Sequence, residues 1–171
     1  MKSNQLLKTE YSVFYSTYIN ALADLSLMEG LEHGLNQMVT FISNIPSEKF
    51  EYRYAEGKWT IKDLLLHLID AERIFAYRAL RIGRGDKTPL SGFEENDFVL
   101  HANANSRSVE SLLKEFQLVR KSTLELFENF SEEQLVYLGT SSDAIISVRA
   151  IGFIISGHQK HHLKIIEERY L

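Results

Sequence analysis

Six histidines, His33, His67, His101, His158, His161 and His162, are the residues of this 171-residue chain best suited to chemistry. Three of them crowd into one segment, GHQKHHLKIIEERYL. If that segment is helical, His158 shares a face with His161 at i,i+3 and with His162 at i,i+4. His161 and His162 are sequence neighbours, diverge by about 100° and do not chelate one ion together easily.

The periodicity of the segment chooses between the two pairs. With Val148 at zero and a turn of about 100° per residue, Arg149, Ser156, Gly157, Lys160, Lys164 and Glu167 fall between about 80° and 180°. Ile151, Ile154, Ile155, Ile165 and Ile166 fall between about 240° and 360°, with His158 near 280° and His162 near 320° among them. His161, near 220°, is at the margin. Two imidazoles one turn apart therefore project toward the apolar side. Each brings a donor and an acceptor, and a buried polar group left unpaired costs about 1–3 kcal/mol. A shared divalent metal satisfies the inward nitrogens of both, and the opposite ring nitrogens then call for acceptors of their own. Isolated histidines such as His33 and His101 read instead as core residues with satisfied hydrogen bonds.

A third ligand is needed, and His67, within LLLHLIDAERIF, is the candidate. It shares a helical stripe with Leu64, Ala71 and Ile74. Asp63 and Asp70 lie along its polar side, where they would orient the ring, hold a water, or simply be solvated or cap the helix. Three imidazoles with an open fourth position suit a catalytic zinc-type site. Nickel, iron and manganese remain open, whereas all-nitrogen ligation disfavours magnesium and calcium. No general acid or base is assigned. Arg73, Arg78, Arg81, Arg84 and Lys87 are candidates for an anionic cosubstrate, with solvation the default for most of them. Tyr52, Tyr54 and Trp59 would line a pocket mouth or, by default, pack in the core.

The elements that position these groups are helices. Thr60 and Asp63 form a capping box before a helix over Ile61–Ile82, closed by Gly83 and Gly85. A helix from about Leu25 to Ile42 is capped by Asp24 or Ser26, and its Gly30 and Gly34 either mark a close approach of a neighbour or weaken it. Ser108 caps a helix reaching about Phe130, Ser131 with Gln134 opens a short one, and Ser147 caps a last helix over Val148–Tyr170. Residues 83–107 are turn-rich, with one helical turn near Asp97–His101. Residues 1–24 form an aromatic, partly helical arm, and no segment reads as a strand. An all-α four-helix bundle, one domain over residues 1–171, accommodates four apolar stripes, and the long connection between the second and third helices permits a parallel pair.

Composition narrows the function. Without cysteine, disulfides, thiolate metal sites and cysteine nucleophiles are out. A net charge of −4 and the lack of any basic block argue against nucleic acid as a partner. No apolar run nears the length of a membrane span and no leader pattern opens the chain. The expectation is a soluble cytoplasmic protein acting on a small molecule.

Two segments, GKWTIKDLLLHLIDAERIFAYRAL and GHQKHHLKIIEERYL, resemble the DinB-like (YfiT-like) four-helix metal proteins, whose signature is one histidine in the second helix and H-x3-H in the fourth. GDKTPLSGFEENDFV is similar to the corresponding stretch of a subgroup. The similarity covers about residues 25–171. It implies up-down-down-up topology, a divalent metal, commonly zinc or nickel, on His67, His158 and His162, and often a homodimer. Members are thiol S-transferases and isomerases using bacillithiol, mycothiol or glutathione, or are named only as metal-dependent hydrolases. The function expected is a divalent-metal-dependent enzyme with a metal-activated water or an exogenous thiol as nucleophile. The competing readings are a metal-binding module without catalysis and a purely structural bundle.

Overall fold

The computed structural model describes residues 1–22 and 25–171. In chain order its regular elements are α1 (Ser16–Asn20), α2 (Leu27–Ser43), α3 (Ile61–Gly83), α4 (Glu95–Ala102), α5 (Val109–Glu128), α6 (Glu132–Leu135), β1 (Leu138–Ser141), β2 (Ala144–Ser147) and α7 (Val148–Arg169). Short 3-10 turns precede α1. Each long helix begins where a hydroxyl side chain can satisfy free amides of its first turn. Ser26 and Thr60 form reciprocal capping boxes with Glu29 and Asp63, Ser108 Oγ accepts from Ser111 N at 3.2 Å, and Ser147 Oγ accepts from Ala150 N at 3.1 Å. Ser26 is thus the cap of α2, and the alternative, Asp24, lies outside the described residues.

Helices α2, α3, α5 and α7 form the bundle, and two apolar clusters give their directions. One joins Leu27 and Leu31 at the start of α2 to Phe75, Ala79 and Ile82 late in α3, Phe127 late in α5, and Val148–Ile155 early in α7. The other joins Met38 and Ile42 late in α2 to Leu64, Leu65 and Leu68 early in α3, Leu112 and Phe116 early in α5, and Leu163 and Ile166 late in α7. So α2 and α7 run one way, α3 and α5 the other, which is the up-down-down-up arrangement. Residues 84–108, with α4 among them, run back along the bundle so that α3 and α5 lie parallel.

Between the two clusters is a layer of buried polar groups. Arg120, 1% exposed, donates from Nε to Glu72 Oε1 at 2.7 Å and from Nη2 to Oε2 at 2.9 Å, and its Nη1 donates to Leu31 O at 3.0 Å. Gln159 Nε2 donates to Gly34 O at 2.7 Å. Gly34 permits this crossing: a Cβ there would sit 2.6 Å from Arg120 Nη1 and 2.8 Å from Gln159 Oε1. Close helix approach is therefore the role of this glycine. Gly34→Ala is expected to lower stability by about 1–3 kcal/mol through overpacking, read as a reduced urea midpoint at unchanged m-value.

One expectation fails. Residues 138–147 form a hairpin, β1 pairing antiparallel with β2 from Leu138↔Ser147 to Ser141↔Ala144. The strands are short, and Ser142 and Asp143 occupy the turn with φ of 50° and 60°, a conformation usually signalled by Asn-Gly or Asp-Gly. A non-local contact supports it: Leu90 N donates to Thr140 O at 2.9 Å and Ser142 N to Leu90 O at 3.0 Å.

The N-terminal residues are fastened to the start of α7. Glu10, buried, accepts from Ser147 Oγ at 2.8 Å and from Arg149 Nε at 2.6 Å. Burial alone would raise the Glu10 carboxyl, but the hydrogen bonds from Arg149, Leu7 N and Ser147 hold it below its ordinary value. Further along, α1 lies directly on α7, where the Tyr18 backbone carbonyl occupies the space a side chain on Gly157 would need.

Candidate metal centre

His67 projects from the first half of α3, and His158 and His162 from consecutive turns of α7. The fold brings all three together in the bundle interior, where they are 3%, 6% and 9% exposed. His158 Nε2 lies 3.1 Å from His67 Nε2 and 2.9 Å from His162 Nε2. One ligand atom from each lies within 4.8 Å of the others. Aromatic rings enclose the cluster, with Trp59 4.9 Å from the His67 ring and Tyr18 5.4 Å from that of His158.

The nitrogens facing one another share a single partner atom. A neutral imidazole nitrogen is either a donor or an acceptor, yet His158 Nε2 has two nitrogen neighbours. His162 Nδ1 is buried with no hydrogen-bond partner. A divalent cation would take one lone pair from each ring, and ligands at ~2.0–2.1 Å on a tetrahedral ion are spaced ~3.3 Å apart, close to the separations seen. The donor set therefore fits a transition-metal ion.

Protonation also favours ligation. Burial pushes the His67 pKa down to about 4. Burial, reinforced by the charges of His67 and His161, pushes His162 down to about 3. Burial, with His162, His67 and His161 adding to it, drives His158 well below its ordinary value. All three are neutral at pH 7, the form that binds metal. The same shifts make the metal-free protein acid-sensitive. Below about pH 6.5 the unfolded chain takes up protons that the folded chain refuses, so the histidines' contribution to stability is constant above that pH and is lost as pH drops toward the folded pKa values. At pH 5 the expected loss is roughly 2 kcal/mol for each of His67 and His162. Urea titrations of chelator-treated protein at pH 7.5 and 5.0 measure it, and a matching loss in a His67→Gln/His162→Gln variant would refute it.

His33 and His101 are exposed rather than in the core. His101 Nδ1 lies 2.7 Å from Asp97 O, one turn back in α4, and a surface position needs no further partner. His161 is half-buried beside the cluster, its ring 5.2 Å from Tyr18.

The aspartates next to His67 in sequence are occupied elsewhere. Asp63 completes the Thr60 capping box and accepts from Asn105 Nδ2 at 3.1 Å, and Asp70 is 3.7 Å from Arg73. Among the described residues no carboxylate accepts a hydrogen bond from any of the three imidazoles. Arg73 pairs with Glu115 at 2.6 Å and Arg81 with Asp86, while Arg84 stacks over Phe130 and Lys87 Nζ donates to Leu138 O at 3.2 Å. Arg78 alone among these basic residues is buried. Trp59 packs with the core and against His67, Tyr54 lies edge-on to Tyr170 at 5.0 Å, and Tyr52 is exposed. Tyr15 and Tyr18, read from the sequence only as part of an aromatic arm, border a cavity that reaches His158. Their one sequence signal was the density of aromatic residues in that arm.

Known proteins are similar to this chain in sequence and in fold. The chain is 23% identical over 138 residues to "Putative metal-dependent hydrolase OB0413" of Oceanobacillus iheyensis, spanning 80% of this chain and 79% of that protein. Its fold matches the solved structure of YfiT from Bacillus subtilis, described as a probable metal-dependent hydrolase with an unusual four-helix bundle topology. The TM-score is 0.74 at 16% identity, covering 83% of this chain and 82% of that one. A family model described as the DinB superfamily matches residues 31–166, and with that match spanning both histidine-bearing helices, the chain belongs to the DinB superfamily.

Proposed function

We propose that this protein is a divalent-metal-dependent hydrolase of small molecules, with His67, His158 and His162 holding the ion and water as nucleophile. The observation that carries the reading is the convergence of three buried, neutral imidazoles whose Nε2 atoms have only one another as partners, with His162 Nδ1 left without any. When bound, zinc or nickel supplies Lewis acidity, drawing the pKa of a coordinated water down toward ~7. The chain's own contribution is to aim the three imidazoles from two antiparallel helices and keep them unprotonated. Trp59, Phe75 and Tyr18 surround the cluster with apolar surface, which strengthens electrostatic interactions within it. The name carried by the Oceanobacillus relative agrees with hydrolysis.

Protein purified without a histidine tag should contain about one zinc or nickel per chain, against less than about 0.1 for a His158→Ala/His162→Ala variant. Wild type that stays below about 0.1 after exposure to either metal would overturn the proposal. Activity is sought across esters, lactones and amides with and without bacillithiol or glutathione. Turnover that requires the thiol would replace water by an exogenous thiol, as expected for an S-transferase in a chain without cysteine.

A further inference from the structure

We propose that Arg78 is an anion anchor that binds the carboxylate of a small monocarboxylate substrate whose other end faces the tri-histidine cluster. Among the described residues two arginines are buried, Arg78 and Arg120, and Arg149 is partly covered; Arg120 pairs with Glu72 and Arg149 with Glu10. Arg78, 3% exposed, has no carboxylate within ion-pair distance among the described residues. Its Nη2 donates to Ser91 O at 2.8 Å and to Ser142 Oγ at 3.2 Å, both neutral. Its Nε and Nη1 have no acceptor among the described residues. The guanidinium lies over the Phe75 and Phe93 rings, at 5.6 and 6.0 Å from their centroids.

A buried cation without a counter-charge is costly, and arginine does not escape the cost by deprotonating. The groups holding Arg78 instead present it to a cavity. That cavity, about 80 Å³, is bordered by Arg78 and His158 together, with Tyr15 and Tyr18 among its other walls. One space thus joins an unpaired guanidinium to a ring of the metal centre. With both Nη2 hydrogens taken by Ser91 O and Ser142 Oγ, the free Nε–H and Nη1–H lie on different edges of the guanidinium, and either gives a carboxylate oxygen one charge-assisted hydrogen bond. The volume is well below the ~300–1,000 Å³ of drug-sized sites, so it takes a short-chain acid. Glu95 also borders the cavity, and its carboxylate opposes any anion there, a dianion such as phosphate about twice as strongly as a monocarboxylate.

The neutral contacts that hold Arg78 come in part from the hairpin that the sequence did not announce. The β1–β2 turn brings Ser142 Oγ to Nη2, and the chain after Leu90, bridged to the same turn, brings the Ser91 carbonyl. Both place the guanidinium without neutralising it.

This proposal deepens the hydrolase reading and depends on it only for what the ligand's far end meets. The test is titration of propionate, its neutral isostere propionamide and inorganic phosphate into wild type, Arg78→Lys and Arg78→Gln. It follows the Arg78 Nε–H resonance in wild type and calorimetric heat in all three proteins. Propionate should bind wild type saturably, with propionamide absent and phosphate weaker. Arg78→Lys should weaken propionate about 10-fold and Arg78→Gln about 10- to 100-fold, the worth of charged hydrogen bonds. Arg78→Lys retains the cation and serves alone if Arg78→Gln fails to fold. Unchanged propionate affinity in a folded variant, equal binding of propionamide, tighter binding of phosphate, or no saturation up to roughly tens of millimolar would overturn the anchor. Running the series on zinc-loaded and chelator-treated protein, with metal content measured separately, separates the two ideas. Propionate on Arg78 in a protein that takes up no metal removes the metal reading alone, and metal-loaded protein that ignores propionate removes the anchor alone.

Discussion

His158→Ala should lower metal affinity by more than about 100-fold, because even an outer partner of a metal ligand is worth about 10–100-fold. His158 has the largest expected effect of the three, since its Nε2 is the atom from which both other Nε2 atoms are 2.9–3.1 Å away. The consequence extends to stability. A ligand at 1,000 times its dissociation constant stabilises the folded state by about 4 kcal/mol, and 1 kcal/mol shifts Tm by about 2–4 °C for a chain of this size. Wild type should therefore gain about 10 °C on zinc or nickel loading, while His158→Ala gains nothing measurable. A melting comparison of chelated and metal-loaded protein decides it. In the metal-free state the same substitution removes one of three crowded polar rings, so its cost should be markedly smaller than in the loaded state. Equal Tm gains for wild type and variant would mean that the ion binds elsewhere.

Glu72→Ala is expected to cost about 3–5 kcal/mol, the largest effect away from the histidines, because it strands the Arg120 charge in the bundle interior. Arg120 is held by two hydrogen bonds to that one carboxylate and by a third to Leu31 O, and no water can reach it to compensate at 1% exposure. Replacing both members, as in Glu72→Leu/Arg120→Met, should recover most of the loss, since apolar replacement of a buried pair is often neutral or stabilising. Denaturant unfolding of Glu72→Leu, Arg120→Met and Glu72→Leu/Arg120→Met completes the cycle, and additive losses would show that the pair is not coupled. Glu72, Arg120 and Gln159 border a narrow void together with His158, so the single variants should also perturb metal affinity, while the double variant separates packing from charge.

The three histidines were legible because inward-facing side chains on a helix leave a periodic trace. His158 and His162 fall on the stripe of Ile151, Ile154, Ile155 and Ile166, and burial of that stripe carries the rings inward with it. His67 was legible for the same reason, flanked by Leu64 and Ala71. The surroundings of the site were not. Asp63 and Asp70 are near His67 in sequence, yet their partners are Asn105, Thr60 and Arg73. Tyr18 touches His158 from 140 positions earlier, a contact with no periodic signature. Arg78 looks like Arg73 and Arg81 along α3, and what separates them is which neighbours carry carboxylates. The hairpin, too, rests on Leu90, far from its own strands in sequence.

The amino-acid sequence by itself determined the four long helices, their caps, the inward faces and the candidate ligand set, because those depend on hydrogen bonds and side-chain spacing within a few residues. Tertiary structure alone decided which helix directions pair across the bundle, how the Arg120–Glu72 layer is neutralised, and why Arg78 is buried without a counter-ion. It also decided that the N-terminal segment closes one wall of the histidine cluster. Each of those outcomes is a balance of desolvation against a charge or ring supplied from a distant part of the chain, and that balance exists only once the helices have come together.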